Sequence, residues 1–349
     1  MNAMTLGVRN APAEPIAMST AESEISSLSV EEDVLTLDSV GLEFGGRLEN
    51  VSLAWRIAGR RNAPLVAVLG GISAGRTVFA TAAAEKGWWQ EVAGPGRALD
   101  ADAFRILGID FLGGSGQSTG PQNGQIDFPS VSAYDQAALL GKLVERLQIG
   151  RLHAVVGASY GGMVALAFAE RHPALTERIV AISAADRPHP MATAWRSVQR
   201  ATVKALLARG AGAEGLKLAR ALAMATYRSP QEFKQRFDGE PKLTARGAVF
   251  PVEEYLFARG ESYSQSYVPE AFICLSESID LHRVDASLIK TPTTLVAVRE
   301  DQLAPLADMQ ALYERLGGQK ELIELSSLYG HDAFLKESVA LRRVFGRAL

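Results

Sequence analysis

Cysteine is nearly absent from this 349-residue chain, which contains only Cys274. A single cysteine cannot form an internal disulfide, and this is compatible with a reducing cytoplasm. The residue lies in the apolar stretch AFICL, with no histidine in a cysteine-enzyme arrangement, so we expect a packed and inert thiol. The metal-binding spacings H-E-x-x-H and C-x-x-C are also missing, so neither a metal nor a catalytic cofactor is expected.

Long apolar runs and blocks of like charge are missing as well. No stretch of about 18 apolar residues occurs, and the N-terminus lacks the apolar centre of a signal peptide, so we expect no membrane span and a cytoplasmic protein. The 36 basic and 39 acidic residues are scattered along the chain and leave a formal charge of −3. This balance argues against nucleic acid as a partner and favours small-molecule substrates.

What is present is the composition of a folded protein, with 47% hydrophobic and 21% charged residues. Residues 1–30 are rich in Ala, Ser, Glu and Pro without a sustained period, which predicts a mobile arm. Strand-like segments follow from about Val34. Beyond them strands and helices alternate, which predicts an α/β fold with a mostly parallel, doubly wound sheet. We expect 31–189 and 291–349 to form this body.

Residues 190–290 interrupt the alternation. WRSVQRATVKALLARG and EGLKLARALAMATY carry apolar positions at helical spacing, and no clear sheet strand is found among these residues. The segment therefore predicts a helical cap inserted between two strands of the sheet. Such an insertion would cover the carboxyl ends of the strands, where α/β sheets bind their ligands.

The pentapeptide Gly157-Ala158-Ser159-Tyr160-Gly161 lies between an apolar strand, LHAVV, and a helix, GMVALAFAER. A sharp strand-to-helix turn needs glycine on both sides of the serine, because side chains there would collide with the neighbouring strand and helix. The turn holds the serine hydroxyl exposed. Since a hydroxyl is a weak nucleophile at neutral pH, Ser159 needs a base and a third group that orients the base.

Asp301 and His331 fit the chain order of the α/β-hydrolase fold, in which an acid and then a histidine follow the nucleophile. Asp301 ends the strand TTLVAVRED, and His331 lies in the loop LYGHDAF after the last strand. The alternative role for Asp301 is a helix N-cap, and Glu300 and Asp308 are weaker rivals. The sequence therefore predicts an α/β-hydrolase fold in which Ser159, Asp301 and His331 form a catalytic triad.

Acyl transfer also requires hydrogen-bond donors for the oxyanion, usually the amide after the nucleophile and one amide from an early loop. Tyr160 and Leu69 are the candidates, and Leu69 opens the glycine-rich stretch LGGISAG. The alternative for these glycines is a simple tight turn. A second glycine-rich stretch, 113–121, lacks the G-K-[ST] ending of a nucleotide-binding P-loop.

With these residues in place, the chain resembles the homoserine O-acyltransferases of the α/β-hydrolase superfamily from about Gly41 to the C-terminus. DFLGGSGQSTGP is similar to a glycine-rich segment of that family, and GASYGGMVALAFAERHP is similar to its nucleophile turn. EYLFARGESYSQSYVPEAFICLSESIDLHRVD is similar to its cap signature, and REDQLAPLADM and SLYGHDAFLKE are similar to its acid and histidine loops. The last two segments are more specific than G-x-S-x-G.

The resemblance implies ping-pong acyl transfer in methionine biosynthesis, with acyl-CoA as co-substrate. The donor would acylate Ser159, and the L-homoserine hydroxyl, deprotonated through His331, would then take the acyl group. Arg220 matches a cap arginine that would hold the homoserine carboxylate, and Asp332 would meet its ammonium group. A solvated helix arginine and a loop-capping aspartate are the alternatives. The resemblance also implies a homodimer.

Two segments depart from the acetyl-transferring members of the family. LGGISAGR stands where those members have L-T-G-D-x-H, and Tyr160 stands where they have methionine. The pattern is more similar to members assigned to succinyl transfer, so we expect succinyl-CoA to be favoured over acetyl-CoA. Arg76 is a candidate to neutralise the succinyl carboxylate, and an ordinary surface arginine is the alternative.

The triad by itself leaves other functions open. An esterase or other hydrolase of the same fold would use water in place of homoserine, and a related transferase would use serine or another amino alcohol. A non-catalytic interaction protein that keeps the fold is a third class, and the intact order of Ser159, Asp301 and His331 argues against it.

Overall fold

The structure is a computed structural model that describes residues 28–84, 86–125 and 127–349. The predicted arm, residues 1–30, lies outside the described residues except for its last three. Of these, Ser29 and Val30 already belong to the first strand, so regular structure begins before Val34, where it was expected.

The strands of the body are short where they run in parallel and long at one edge of the sheet. The first two strands form an extended antiparallel pair, and the strands that follow are four to six residues long apart from four minor ones of two or three residues. The strands are β1 (Ser29–Gly41), β2 (Arg47–Gly59), β3 (Leu65–Leu69), β4 (Ala93–Gly94), β5 (Leu99–Asp100), β6 (Arg105–Ile109), β7 (Ala154–Ala158), β8 (Ile179–Ile182), β9 (Lys242–Thr244), β10 (Gly247–Val249), β11 (Thr293–Val298) and β12 (Lys320–Leu325).

Eight of these strands form one sheet in the order β1-β2-β6-β3-β7-β8-β11-β12. The neighbours from β6 to β12 are parallel, and β2 pairs antiparallel with both β1 and β6. The register aligns Leu69 with Gly157 and Ala158 with Ile182, so the strands β3, β7 and β8 end at one edge. Loops that leave this edge can meet, and the candidate site lies there.

The helices follow the strands as the alternating pattern predicts. Two of them, at Ala133–Arg146 and Tyr160–Arg171, flank the nucleophile strand, and three others follow β11 and β12. The helices are α1 (Ala133–Arg146), α2 (Tyr160–Arg171), α3 (Pro190–Leu207), α4 (Gly212–Tyr227), α5 (Pro230–Phe237), α6 (Pro251–Ser264), α7 (Pro269–Leu281), α8 (Leu306–Arg315), α9 (Ala333–Lys336) and α10 (Ser338–Ala348).

Apolar side chains on both faces of the sheet form the core. Along β7, Val155 joins the cluster that packs under α1, α2 and α8, whereas Val156 joins the cluster on the opposite face with Trp89 and Phe345. Successive strand residues point to opposite faces, so a strand buried on both faces reads as a continuous apolar run. This explains why AVVGA has no polar alternation.

The segment predicted as a cap contains α3 to α7 between β8 and β11. Helix α4 packs against both α3 and α6, and Val203, Leu216 and Phe272 form a small apolar cluster among α3, α4 and α7. One detail differs from the expectation of an all-helical segment, since β9 and β10 form a two-stranded hairpin there. The hairpin is separate from the main sheet, and its strands are mostly exposed.

Candidate active site

Ser159 lies between the end of β7 and the start of α2 with backbone angles of φ 56° and ψ −123°. This left-handed conformation is costly for a residue with a side chain, and such strain is typical of functional sites. Glycine relieves the crowding around the turn. A Cβ at Gly157 would collide with the backbone of Gly161, and one at Gly161 would collide with the carbonyl of Leu69. The turn therefore presents the serine hydroxyl at the carboxyl edge of the sheet.

The three predicted triad side chains meet at this edge. His331 Nε2 lies 2.8 Å from Ser159 Oγ, and His331 Nδ1 lies 2.8 Å from Asp301 Oδ2. Asp301 and His331 are buried, whereas Ser159 is partly exposed. Both distances are those of good hydrogen bonds, so the imidazole can take a proton from the serine while the carboxylate orients it.

The carboxylate of Asp301 is held by its own loop. Its Oδ1 accepts hydrogen bonds from the backbone N–H groups of Leu303 and Ala304, at 2.8 and 3.0 Å, which leaves Oδ2 for the histidine. The rivals named from the sequence lie elsewhere. Glu300 accepts hydrogen bonds from the hydroxyl of Ser326 and the backbone N–H of Ser327, and Asp308 lies in the first turn of α8.

His331 lies in a short 3-10 turn, Gly330–Asp332, that touches the cap. Gly330 has φ +53°, and a Cβ there would lie 2.6 Å from the carbonyl oxygen of Tyr227 in α4, so glycine is needed for this close approach. Burial opposes the charged imidazole, but the charge and hydrogen bond of Asp301 together with the charge of Asp332 outweigh burial, so the pKa of His331 is raised above its usual value.

The other histidines have structural surroundings. His153 and His172 lie on the body away from this edge, and His189 caps α3. His282 is buried and its ring bonds the carbonyl oxygen of Ala185. Cys274 lines neither cavity that contains Ser159, and burial raises the pKa of its thiol to about 12, in keeping with an inert role.

The two predicted oxyanion donors differ in position. Tyr160 is the first residue of α2, so its N–H has no acceptor within the helix and lies next to the nucleophile. Leu69 is the last residue of β3, paired with Gly157, and it does not line either cavity that contains Ser159. The residues of this loop that line the cavity are Gly71 to Ala74. Gly71 is therefore a further candidate for the second donor, beside the predicted Leu69.

One cavity beside Ser159, here called the Arg220 cavity, joins the triad to the cap. Arg220 and Asp332 both line it, together with Tyr227. The Arg220 guanidinium lies over the rings of Tyr227 and Tyr263, at 5.3 and 4.8 Å, and makes no hydrogen bond or ion pair with another described residue.

The charges in the Arg220 cavity are of opposite sign. Burial opposes the charge of Arg220, but the attraction of Tyr227, Tyr263 and Asp332 prevails and raises its pKa. Asp332 is buried, and its Oδ2 accepts a hydrogen bond from Arg228 Nε at 2.9 Å. The cavity thus offers a cation free to bind a carboxylate and an anion held in place nearby.

Arg76 lies outside both cavities, contrary to its predicted role. Its backbone N–H and its Nη1 donate to the buried carboxylate of Asp110, at 2.7 and 2.5 Å, and its Nη2 donates to Gln117. The sequence suggested a free cation near the acyl site, but the ion pair from Nη1 to a buried aspartate and the bond from Nη2 to Gln117 leave the guanidinium occupied. Arg76 therefore ties two loops together and does not face Ser159.

A second cavity, here called the Arg196 cavity, also reaches Ser159 and His331. It lies under α3 and is lined by Arg196 and Arg187 as well as by Gln199 and Ser276. The sequence does not identify these residues as part of the site, although it predicts a helix over WRSVQR. Their only signal was helical spacing, which does not show that this face of α3 lies over the nucleophile.

The fold and the site together define a serine-nucleophile enzyme of the α/β-hydrolase type. The model of the α/β hydrolase fold family matches residues 82–338, and this match confirms the fold class predicted from the sequence. A homoserine O-succinyltransferase from Xanthomonas campestris pv. campestris is 44% identical over 298 residues, which cover 85% of this chain and 78% of the relative.

Further relatives point the same way. A serine O-succinyltransferase from Litchfieldella anticariensis is 32% identical, with 84% of this chain and 91% of the relative covered. The crystal structure of a homoserine O-acetyltransferase from Bacillus anthracis superposes with a TM-score of 0.81 over 91% of this chain and 98% of that chain, at 18% identity, which supports the fold alone. The chain belongs to the homoserine O-acyltransferase family of the α/β-hydrolase superfamily, and it is an acyltransferase.

Within the ranges that the structure describes, no group of three His, Cys, Asp or Glu side chains could hold a metal ion. No helix among the same residues is both long and apolar enough to cross a membrane.

Proposed function

We propose that this enzyme transfers an acyl group, preferably succinyl, from acyl-CoA to the hydroxyl of L-homoserine through a covalent ester on Ser159. The observation that carries the proposal is the meeting of two differently charged cavities at one activated serine. A ping-pong transferase needs room for a donor and an acceptor at the same nucleophile, whereas a simple hydrolase needs room for one substrate and water.

The Arg220 cavity suits the acceptor. An α-amino acid carries a carboxylate and an ammonium group, and these match the free guanidinium of Arg220 and the carboxylate of Asp332. Arginine holds a carboxylate through two parallel hydrogen bonds, which also orients the rest of the molecule. With both ends bound, the side-chain hydroxyl of homoserine can extend toward His331 and Ser159.

The first half-reaction acylates the enzyme. Ser159 Oγ attacks the thioester carbonyl carbon of the donor while its proton passes to His331 Nε2. The N–H groups of Tyr160 and Gly71 stabilise the negative charge on the carbonyl oxygen. The C–S bond then breaks, His331 protonates the sulfur of the leaving CoA, and an ester between Ser159 and the acyl group remains.

The second half-reaction uses the same base. The homoserine hydroxyl gives its proton to His331 Nε2 as its oxygen attacks the ester carbonyl, and the same two N–H groups stabilise the new oxyanion. The bond to Ser159 Oγ then breaks, and His331 returns the proton to the serine. The products are O-acylhomoserine and free enzyme, so the cycle needs no cofactor.

The charge of the Arg196 cavity supports a donor with a free carboxylate. Arg196 and Arg200 share the single carboxylate of Asp280, at 2.6 and 2.5 Å, which leaves one positive charge in excess beside the cavity. Arg187 adds a second lining cation that is paired with Asp186. A succinyl group would place its carboxylate among these guanidinium groups, whereas an acetyl group has no charge to use them. Arg196 thus takes over the role that the sequence suggested for Arg76.

Product identification tests the proposal directly. The purified enzyme is incubated with L-homoserine and either succinyl-CoA or acetyl-CoA, and the products are identified by mass spectrometry. We expect O-succinylhomoserine to form faster than O-acetylhomoserine. Comparable turnover of the two donors would remove the succinyl preference, and formation of neither ester would remove the proposed function.

A hydrolase of the same fold is one alternative, and it is tested by measuring CoA release with and without an acceptor. A hydrolase would release CoA at the full rate without homoserine, because water would resolve the acyl-enzyme.

A serine O-acyltransferase is the other alternative, favoured by the 32% identity to a serine O-succinyltransferase. Homoserine is one methylene longer, so kcat/KM for the two amino acids under identical conditions decides between them.

Three further expectations accompany the proposed function. The product would enter methionine biosynthesis, the enzyme would act in the cytoplasm, and it would form a homodimer. Light scattering on the purified protein tests the last of these, with twice the mass of the 349-residue chain expected. A mass equal to that of one chain would contradict it.

A further inference from the structure

Two tyrosines of the cap bond the loop that carries the proposed oxyanion donor. Tyr267 donates from its hydroxyl to the carbonyl oxygen of Ile72 at 2.7 Å, and Tyr263 accepts from the hydroxyl of Ser73 at 3.0 Å. Both contacts cross about 190 residues of sequence. They join the end of α6 and the turn after it to residues 71–74, which line the cavity around Ser159.

The same two tyrosines are linked to the acceptor subsite. Their rings are stacked, with centroids 5.0 Å apart and an angle of 17° between the planes. The guanidinium of Arg220 lies 4.8 Å from the ring centroid of Tyr263 on α6. Arg220 therefore rests on a side chain whose hydroxyl bonds the loop beside the nucleophile.

The other end of the loop is fixed independently of the cap. Asp110 accepts hydrogen bonds from the N–H of Arg76 and from its Nη1, and a Cβ at Gly75 would lie only 2.8 Å from Asp110 Oδ1. Between this anchor and β3, Ile72 packs against the apolar clusters of the body and of the cap, and a few hydrogen bonds set the backbone. One of these is the bond from the N–H of Ala74 to the carbonyl of Gly71 within the turn.

We infer that Tyr263 and Tyr267 are positioning residues that hold the loop 71–74 in the geometry required for oxyanion stabilisation and that couple this geometry to Arg220. The inference rests on the proposed function, because it assigns Arg220 to the acceptor and the loop to the oxyanion. Donors for an oxyanion act only when they are preorganised, and a displacement of about 1 Å can cost about 100-fold in rate. The two hydroxyl contacts supply that order from the cap.

The test compares hydroxyl-deletion variants of one helix region. Tyr267→Phe and Tyr263→Phe keep the stacked rings and lose one loop contact each. Tyr255→Phe is the matched control, because Tyr255 also lies on α6 but packs against Phe233 and Phe237, away from the loop. The rate of acylation is measured as p-nitrophenol release from p-nitrophenyl acetate and as CoA release from acyl-CoA. KM for homoserine is measured separately.

We expect Tyr267→Phe and Tyr263→Phe each to lower the acylation rate about 10-fold or more, with KM for homoserine within about 2-fold of wild type. Tyr263→Leu removes the ring as well, so it should also raise KM for homoserine about 10-fold. A purely structural role would not separate the two parameters in this way. The inference is overturned if the Phe variants acylate as fast as Tyr255→Phe, or if their loss only matches a smaller folded fraction in circular dichroism.

A double-mutant cycle isolates the contact itself. Ser73→Ala and Tyr263→Phe each remove one partner, so the double variant should lose little more activity than either single variant. Fully additive losses would contradict the direct coupling. Failure of the proposed function is distinguishable, since it would appear in the wild type as absent O-acylhomoserine while p-nitrophenol release still reports on the loop.

Discussion

His331 Nε2 and Ser159 Oγ lie 2.8 Å apart although 172 residues separate them along the chain. The contact exists because β7 and β12 both end at the carboxyl edge of the parallel sheet, and Ser159 and His331 lie in the segments that leave these two strand ends. Asp301, which follows β11 at the same edge, completes the arrangement behind the imidazole. Two cavities meet at this geometry, one lined by Arg220 and the other by Arg196.

Replacing Ser159 by alanine should abolish acyl transfer, because among the described residues no other hydroxyl forms a hydrogen bond with His331. We expect CoA release to fall by about 1,000-fold or more. Ser197→Ala on the exposed side of α3 is the control and should keep wild-type activity. Circular dichroism should show both variants folded. Normal activity in folded Ser159→Ala would refute the assignment of the nucleophile.

The raised pKa of His331 predicts the low-pH side of the activity profile. Only the neutral imidazole can accept the proton of Ser159, so activity should fall as pH drops through a pKa above the usual value of about 6.5.

Asp301→Asn removes the carboxylate that raises the pKa of His331. Its residual activity should be about 10,000-fold lower, and its acid limb should move to lower pH. Both effects are measured from reaction rates between about pH 5 and about pH 9, taken at intervals of about half a pH unit. An unshifted acid limb would contradict the role of Asp301.

The acceptor subsite is tested with a substitution that keeps the charge. Arg220→Lys retains a cation but loses the paired hydrogen bonds to a carboxylate, so KM for homoserine should rise about 10-fold or more. The loss should fall on KM more than on the rate of acylation. Arg209→Lys, an exposed arginine after α3, is the matched control. Steady-state kinetics at saturating donor distinguish these outcomes, and an unchanged KM would exclude Arg220 from acceptor binding.

Donor preference should depend on Arg196 and not on its neighbour. Arg196 lines the cavity at Ser159, whereas Arg200 shares the same aspartate without lining the cavity. We expect Arg196→Leu to lower the ratio of kcat/KM for succinyl-CoA over acetyl-CoA about 10-fold, the value of one charged hydrogen bond. Arg200→Leu should change this ratio less than about 3-fold. Equal shifts in the two variants would show that only the overall charge matters.

The buried His282 predicts a loss of stability in acid. Burial lowers the pKa of His282 to about 4, well below the value of about 6.5 in an unfolded chain. The unfolded state therefore binds a proton that the folded state does not, and stability present above pH 6.5 is lost as pH falls toward 4. His282→Gln cannot titrate and can still donate to the Ala185 carbonyl.

Thermal unfolding at about pH 7.5 and about pH 5 measures the effect of His282. We expect a smaller drop in Tm between the two pH values for His282→Gln than for the wild type. His189→Gln is the control, since this histidine caps α3 and is only partly buried. The same drop in Tm for wild type and His282→Gln would show that His282 makes no contribution.

Local patterns were sufficient to locate the elements and the order of the triad residues. The glycines around Ser159 predict a sharp strand-to-helix turn, and the structure shows this turn with Ser159 at φ 56°. The N-terminal boundary was less accurate, because β1 extends to Ser29 by pairing with the long strand β2. The hairpin β9-β10 was missed, since its three-residue strands carry no pattern distinct from a loop.

Side-chain direction could not be predicted in the same way. The sequence offers both Arg76 and Arg196 as cations, but it does not show which of them reaches the site. In the structure Arg76 forms an ion pair with Asp110, whereas Arg196 on α3 lines the cavity at Ser159. Likewise Leu69 and Gly71 are separated by one residue, and only Gly71 lines the space beside Ser159. These choices depend on partners that lie far away in the sequence.

The amino-acid sequence by itself determined the α/β architecture, the inserted helical segment and the identity of the nucleophile, acid and base, because each follows from short-range periodicity or from residue order along the strands. Only the tertiary structure decided which cations line the cavities at the nucleophile, which residues of the loop after β3 lie beside it, and that Tyr263 and Tyr267 bond that loop. The physical reason is that a charged or hydroxyl side chain goes to the best partner within reach, and reach is set by the packing of elements distant in sequence.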